Sequence, residues 1–275
     1  MPLFDQHLHS WHSFDCEEAP EQSVRAAIEQ GLAGMTFTDH FDTHPTEWPL
    51  CRYDYDLLQE AIAALRDKYG DQLFIGHGIE ICYQPERMDF ILDYLNSHTF
   101  DVVLLSVHWF GGRALHVRDH WAGLSPRTGT EAYLRTVLEA AEFAGTFVRD
   151  GQRMFDILGH LDLVKRYTQR FFGEADITPF SGLIDEILSA SLAADLIPEI
   201  NASTWRQGLD EPSPADWVVQ RYAAMGGRCM SIGSDAHSAE HIGAGLREAA
   251  TLLLENGIPA IAIFRNRQRE LLPLP

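Results

Sequence analysis

The chain has 275 residues, 45% of them hydrophobic, which is enough for one large core, and with no composition break a single domain over 1–275 is expected. Its formal charge of −19, from 21 Lys and Arg against 40 Asp and Glu, argues against nucleic acid as a partner, because phosphate-backbone binding needs clustered cations. No apolar run approaches the roughly 18 residues of a membrane span, no basic and apolar leader precedes Asp5, and the four cysteines form no Cys-x-x-Cys pair, so a cytoplasmic protein without membrane partner, disulfide framework or thiolate zinc knuckle is expected.

In chain order, an apolar start over Pro2 to Gln6 precedes a helix from Pro20 to Gln30 and a strand from Ala33 to Thr38. A helix over Asp54 to Tyr69 leads to a strand over Leu73 to Ile81, and one over Glu86 to Asn96 leads to a strand over Asp101 to Ser106. The glycine-rich stretch Gly111 to Thr130 reads as a long loop, and Glu131 to Ala144 as a helix whose Leu134, Val137, Leu138 and Ala141 form one apolar stripe. Phe155 to Leu158, Leu196 to Ile200 and Cys229 to Ile232 complete seven strands, with Tyr167 to Pro179 as a second long loop beside the site. Strands alternating with helices imply a parallel sheet, and a closed or nearly closed barrel would gather the strand C-termini on one face.

At those C-termini stand His7-Leu8-His9, Asp39-His40, Glu80, His108, His160 and Asp235-Ala236-His237. Alternate side chains of an extended segment point the same way, so His7 and His9 can reach one ion. Glu80 and Asp235 are carboxylates able to bridge two cations or complete a histidine-rich shell. Asp39 is placed to orient an imidazole, whereas His44 reads as solvent-exposed. Cys16 follows Asp15 near these residues and reads as an inert small hydrophobe. One such strand end is noise; six at the same end of a parallel sheet predict a multinuclear metal site.

This set of motifs resembles the PHP (polymerase and histidinol phosphatase) superfamily over essentially the full chain. Within it, Gly159-His160-Leu161-Asp162-Leu163-Val164, Glu199-Ile200-Asn201 and Arg206 resemble the histidinol-phosphate phosphatase branch. The resemblance implies a distorted (β/α)7 TIM-like barrel with the metal site at the C-terminal ends of its strands, and three divalent ions, with zinc, iron and manganese all compatible. It implies His7, His9, Glu80 and Asp235 around the first ion, Glu80, His108 and His160 around the second, and His40, His237 and Asp15 around the third, with His12 competing for the place of Asp15.

The activity implied is hydrolysis of a small phosphorylated substrate, L-histidinol phosphate, by a metal-bound hydroxide. Asp235 or His237 would then protonate the leaving oxygen, and Arg206 would bind phosphate, with Lys165, Arg166, Arg113 and Arg118 as weaker candidates. Glu17, Glu18, Asp42 or Asp119 could meet the substrate's amino group. Two departures fall on the substrate side. Trp205 in Asn201-Ala202-Ser203-Thr204-Trp205-Arg206 is expected to bring bulk to the pocket, and Ala114-Leu115-His116 stands where the family often places an Asp. The alternatives are a phosphoesterase for another small phosphoester, a metalloamidase, or a metal-binding module without turnover; the full set of ligand positions and Arg206 favour phosphate hydrolysis.

Overall fold

The computed structural model describes residues 3–147 and 153–274, so Pro2 of the expected apolar start lies outside the described residues. The first half runs β1 (Phe4–Leu8), α1 (Pro20–Glu29), β2 (Gly34–Phe37), β3 (His40–Phe41), α2 (Tyr55–Tyr69), β4 (Phe74–Cys82), α3 (Met88–Ser97), β5 (Val102–Ser106), β6 (Trp109–Phe110), β7 (Arg113–Ala114) and α4 (Pro126–Gly145). The second runs β8 (Ile157–Leu158), α5 (Val164–Phe172), α6 (Ser181–Ala193), β9 (Ile197–Asn201), α7 (Ser203–Arg206), α8 (Asp216–Ala224), β10 (Cys229–Gly233), α9 (Leu246–Glu255), β11 (Ala260–Arg265) and β12 (Gln268–Pro273).

Local chemistry sets several boundaries. The Leu57 N–H donates to the Asp54 side chain at 3.1 Å and starts α2. Ser125 and Thr128 cap α4 reciprocally with Pro126 in its first turn, so the helix begins well before the expected Glu131. Gly111 to Thr130 is accordingly no long loop. It holds β7, a 3₁₀ turn over Arg118–Trp121 and the start of α4, and Trp121 is buried so close to Gly129 that a Cβ there would lie 2.3 Å from the indole. The second expected loop, Tyr167 to Pro179, is half helix: α5 runs to Phe172 and buries Tyr167 and Thr168.

The sheet order is β1-β2-β4-β5-β8-β9-β10-β11-β12, parallel throughout except for the β11–β12 hairpin, with β3 paired to β4 beyond the end of β2. The fold is therefore α/β with a mostly parallel sheet. The expected barrel closure is not a ladder: β1 meets the end of β10 through Asp235 N–H to His7 O at 2.7 Å and His9 N–H to Ala236 O at 2.9 Å, a single parallel bridge. The sheet instead continues from β10 to β11, and the β11–β12 hairpin extends it beyond the seven expected strands. Val102, Leu104, Ile157, Ile197, Ala262 and Phe264 form one apolar cluster in which β11 packs against β5, β8 and β9. A larger cluster packs α4, α6, α8 and α9 around the sheet. Among the described residues no helix is long and apolar enough to cross a membrane.

Candidate metal centre

Glu80 sits at the middle of the site with no solvent exposure. Its Oε2 lies 3.5 Å from His7 Nε2, 3.7 Å from His9 Nε2 and 2.8 Å from His40 Nδ1. Its Oε1 lies 3.0 Å from His160 Nε2 and 3.4 Å from His108 Nε2. Asp235 Oδ1 approaches His9 Nε2 at 3.3 Å, His7 Nε2 at 3.8 Å and His237 Nδ1 at 3.5 Å. Asp15 Oδ2 completes the group, 3.6 Å from His40 Nε2 and 3.3 Å from His237 Nε2. Every ligand expected from the sequence thus comes together, whereas His12 joins none of the donor groups among the described residues.

The backbone explains the convergence. His7 on β1 and His9 one residue past its end alternate along the same extended segment, and the β3–β4 register sets His40 directly beside Glu80. Asp5 ties down the loop carrying Asp235 and His237 by accepting the Ser234 and Gly243 N–H groups, each at 2.9 Å. Asp235 itself has φ +50°, in the left-handed region. Asp39 touches no ligand imidazole. It accepts the Ser10 N–H at 2.6 Å and the Ser13 hydroxyl at 2.8 Å, and Ser13 Oγ in turn stands 3.0 Å from His9 Nδ1, so Asp39 acts through a serine. Asp42 lies 3.2 Å from His108 Nδ1, and Glu199, buried on β9, lies 2.7 Å from His7 Nδ1.

Burial opposes charge at His7, His40, His108 and Glu80, and the opposite charges around them override it. The carboxylates of Glu199 and Glu80 hold His7 well above the ordinary histidine range, Asp15 and Glu80 do so for His40, and Asp42 and Glu80 for His108. His9, buried and facing His237 and His40, is pushed down to about 3. Glu80 stays well below the usual carboxylate range despite burial because His7, His40 and His108 surround it. Even so, the inward-facing His7 Nε2, His9 Nε2, His40 Nδ1 and Glu80 Oε2 are buried without a well-aligned hydrogen bond. Convergent, unsatisfied nitrogen and oxygen lone pairs are costly to bury and fit divalent cations such as zinc, iron or manganese.

Of these donors Asp15, His40, His108, His160, Asp235 and His237 form one wall of a cavity of about 500 Å³, with His7, His9 and Glu80 buried outside its lining, and its other walls include Phe14, Asp42, His116, Leu163, Arg166, Tyr167, Arg206 and His241. Arg206 Nη2 donates to Asp235 O at 2.8 Å, and its Nη1 is buried without a partner. Arg166 also lines the cavity, stacked 5.1 Å from the Tyr167 ring centroid.

The other expected cations do not reach it. Lys165 is fully buried and bound 3.0 Å from both Asp162 and Glu211, so its charge is already matched. Arg118 lies over Phe171 and Phe172, and Arg113 donates to His120 O. Trp205 turns away from the cavity onto Gly245 and α9, so it adds no bulk there, while His116 does line the wall with Nε2 3.7 Å from Glu47 Oε1. Of the carboxylates proposed for an amino group, Asp42 alone lines the cavity; Glu17 pairs with Arg52, Glu18 accepts the Ala239 N–H, and Asp119 lies outside the lining. Cys16 is buried with its thiol directed at His237 O. Sequence reading missed Ser13, Glu47 and the parts played by Asp42 and Glu199, because Glu47, Asp42 and Glu199 act through contacts distant in sequence and Ser13, four residues from His9, is set there by Asp39, 26 residues away.

Comparison with known proteins bears on the same residues. Residues 5–203 match the model of the PHP domain family. The chain is 28% identical over 270 residues to the histidinol-phosphatase of Lactococcus lactis subsp. lactis (strain IL1403), covering 96% of this chain and 95% of the relative. It is 28% identical to a Deinococcus radiodurans protein named "Probable histidinol-phosphatase", over 98% of each chain. Its fold superposes on the crystal structure of histidinol phosphate phosphatase from Lactococcus lactis, complexed with zinc, L-histidinol and phosphate, with a TM-score of 0.77, 24% identity and 98% of both chains covered.

Proposed function

The chain belongs to the PHP domain family, and on that premise we propose that it is a metal-dependent phosphomonoesterase that hydrolyses L-histidinol phosphate to L-histidinol and phosphate. The observation that carries this is a buried carboxylate, Glu80, shared by two sets of metal donors, with a third set beside them, at the floor of a cavity that also holds Arg206. His7, His9, Glu80 and Asp235 would hold one ion, Glu80, His108 and His160 a second, and His40, His237 and Asp15 a third. The single parallel bridge between β1 and the end of β10 supports reading the sheet as a distorted (β/α)7 barrel in one domain, and a cytoplasmic location belongs to the same reading.

Bound divalent ions supply charge neutralisation at phosphoryl oxygens and an acidified water. The protein's own residues do the rest. Arg206 offers its unpartnered Nη1 to a phosphoryl oxygen while Nη2 stays anchored on the Asp235 carbonyl, and Arg166 adds a second cation at the same wall. His237 is 30% exposed and reaches into the cavity with Nδ1 3.5 Å from Asp235 Oδ1, which suits the pair to hold a proton for the departing alkoxide. Phe14, Leu163 and Tyr167 keep water from the walls, and His116 faces the part of the substrate beyond phosphate.

His116 also supports the second reading, a phosphoesterase for another small phosphoester, because it alters the wall that meets the leaving group. Phosphate release by zinc- or manganese-loaded protein, from L-histidinol phosphate and a panel of other phosphomonoesters and phosphodiesters, tests both. A strong preference in kcat/KM for L-histidinol phosphate supports the first reading. Preference for another phosphoester replaces it with the second, and silence across the panel with metal bound removes both.

A further inference from the structure

The strands that end at the metal centre each deliver a ligand, except β9, which places Glu199 and Asn201 there instead. We propose that Glu199 is a positioning residue for the centre: its carboxylate keeps the His7 proton on Nδ1, leaving Nε2 for a metal ion, and sets the depth of His160 relative to it. The proposal rests on the reading of His7 and His160 as ligands.

Each carboxylate oxygen is committed to a different strand. Oε1 lies 2.7 Å from His7 Nδ1, and Oε2 accepts the His160 backbone N–H at 3.1 Å. A carboxylate at Nδ1 fixes the tautomer in which Nε2 carries the lone pair. That Nε2 is buried, has no hydrogen-bonding partner and points between Glu80 Oε2 and Asp235 Oδ1, at 3.5 and 3.8 Å. Two residues on, and on the same face of β9, Asn201 Nδ2 donates to Asp235 Oδ2 at 3.2 Å, so one strand steadies ligands on β1 and just beyond β8 and β10.

The backbone makes room for this contact. A Cβ on Gly233 would lie 2.5 Å from Glu199 Oε1 and 2.4 Å from His7 Cβ, closer than atoms can pack, so the glycine is what allows β1, β9 and β10 to close on the pair. Glu199 is only 1% exposed and stands outside the cavity lining, which leaves no direct contact with a substrate.

Glu199→Gln keeps the shape but has a single acceptor oxygen for three donors, His7 Nδ1, the His160 N–H and, at 3.5 Å, Asn201 Nδ2. Zinc retained per chain after dialysis against a graded chelator should reveal the change, with affinity at the weakened site falling about 10- to 100-fold while the circular dichroism spectrum is unchanged. In the zinc-loaded native protein, nitrogen-15 histidine spectra should show His7, assigned by its loss in His7→Gln, protonated at Nδ1 in a strong hydrogen bond. A native His7 protonated at Nε2, or a folded Glu199→Gln that retains zinc as the native protein does, overturns the proposal. The native-protein spectrum decides it even if the variant does not fold. Weakened zinc binding in a protein that ignores L-histidinol phosphate would leave this inference standing and remove only the substrate assignment.

Discussion

At the starts of the strands, Asp156, 1% exposed, is held by Arg153, Arg267 and the Val103 N–H, and Asp101 takes Arg66, the His77 N–H and the Asn266 N–H. At their far ends, Glu80, Asp235 and Asp15 face a ring of imidazoles in which several buried nitrogens have no hydrogen-bonding partner. Both ends of one sheet bury carboxylates, but the first satisfies them from within the chain and the second does not. A protein tolerates unsatisfied buried groups where something outside the chain completes them, so the contrast separates residues that hold the fold from residues that work.

Breaking the working end should cost activity first. Glu80→Gln removes the carboxylate shared by two donor sets; kcat/KM should fall on the order of 10³-fold or more, with less metal retained by elemental analysis and little change in the unfolding midpoint. Asp156→Ala reverses the pattern. It strands the Arg267 guanidinium, while Arg153 keeps Asp195 at 2.8 Å, and urea titration should show a loss of about 3 kcal/mol, the lower part of the range for breaking a buried pair because Arg267 is 25% exposed, with kcat/KM unaltered wherever both proteins are folded. If either variant produced the other's signature, the division between the two ends would fail.

Arg206→Lys sharpens the contrast, since it keeps charge at the cavity but loses the planar fork. KM should rise about 10- to 100-fold with a smaller change in kcat, as read from steady-state kinetics. The smallest effect is a proton count. With pKa values raised above the ordinary histidine range, His7, His40 and His108 keep protons at neutral pH in the metal-free protein, so zinc must displace them and its affinity should fall as pH falls. Calorimetric zinc titrations in two buffers of different ionisation heat should therefore give different apparent enthalpies; equal ones would mean that the imidazoles were already neutral.

What could be read from the sequence follows the range of the forces involved. His7, His9, His40, Glu80, His108, His160 and Asp235 were legible because each directly follows an apolar run whose strand character is local, and parallel strands deliver their C-termini to one place. The reciprocal cap at Ser125 is local too, yet the glycines around it suggested a loop. Lys165 was misplaced because, beside the local Asp162 three residues earlier, its second carboxylate, Glu211, lies 46 residues away in sequence and meets it only in the folded chain. Trp205 turned outward for an equally remote reason: Gly245, forty residues on, leaves a flat surface for the indole. The β11–β12 hairpin, whose turn residues Asn266 and Arg267 bind Asp101 and Asp156, carries no chemistry at the working end and offered no motif to notice.

The left-handed backbone at Asp235 adds a constraint of a different kind. At φ +50° a branched or long side chain is strained, whereas Asp and Asn, whose short polar groups bond locally, are admitted at little cost. Exchange to Glu would therefore be resisted twice, once by reach and once by conformation, and exchange to Asn would satisfy the backbone while removing the charge. Variation at this position is filtered through two independent sieves, and aspartate is the residue that passes both.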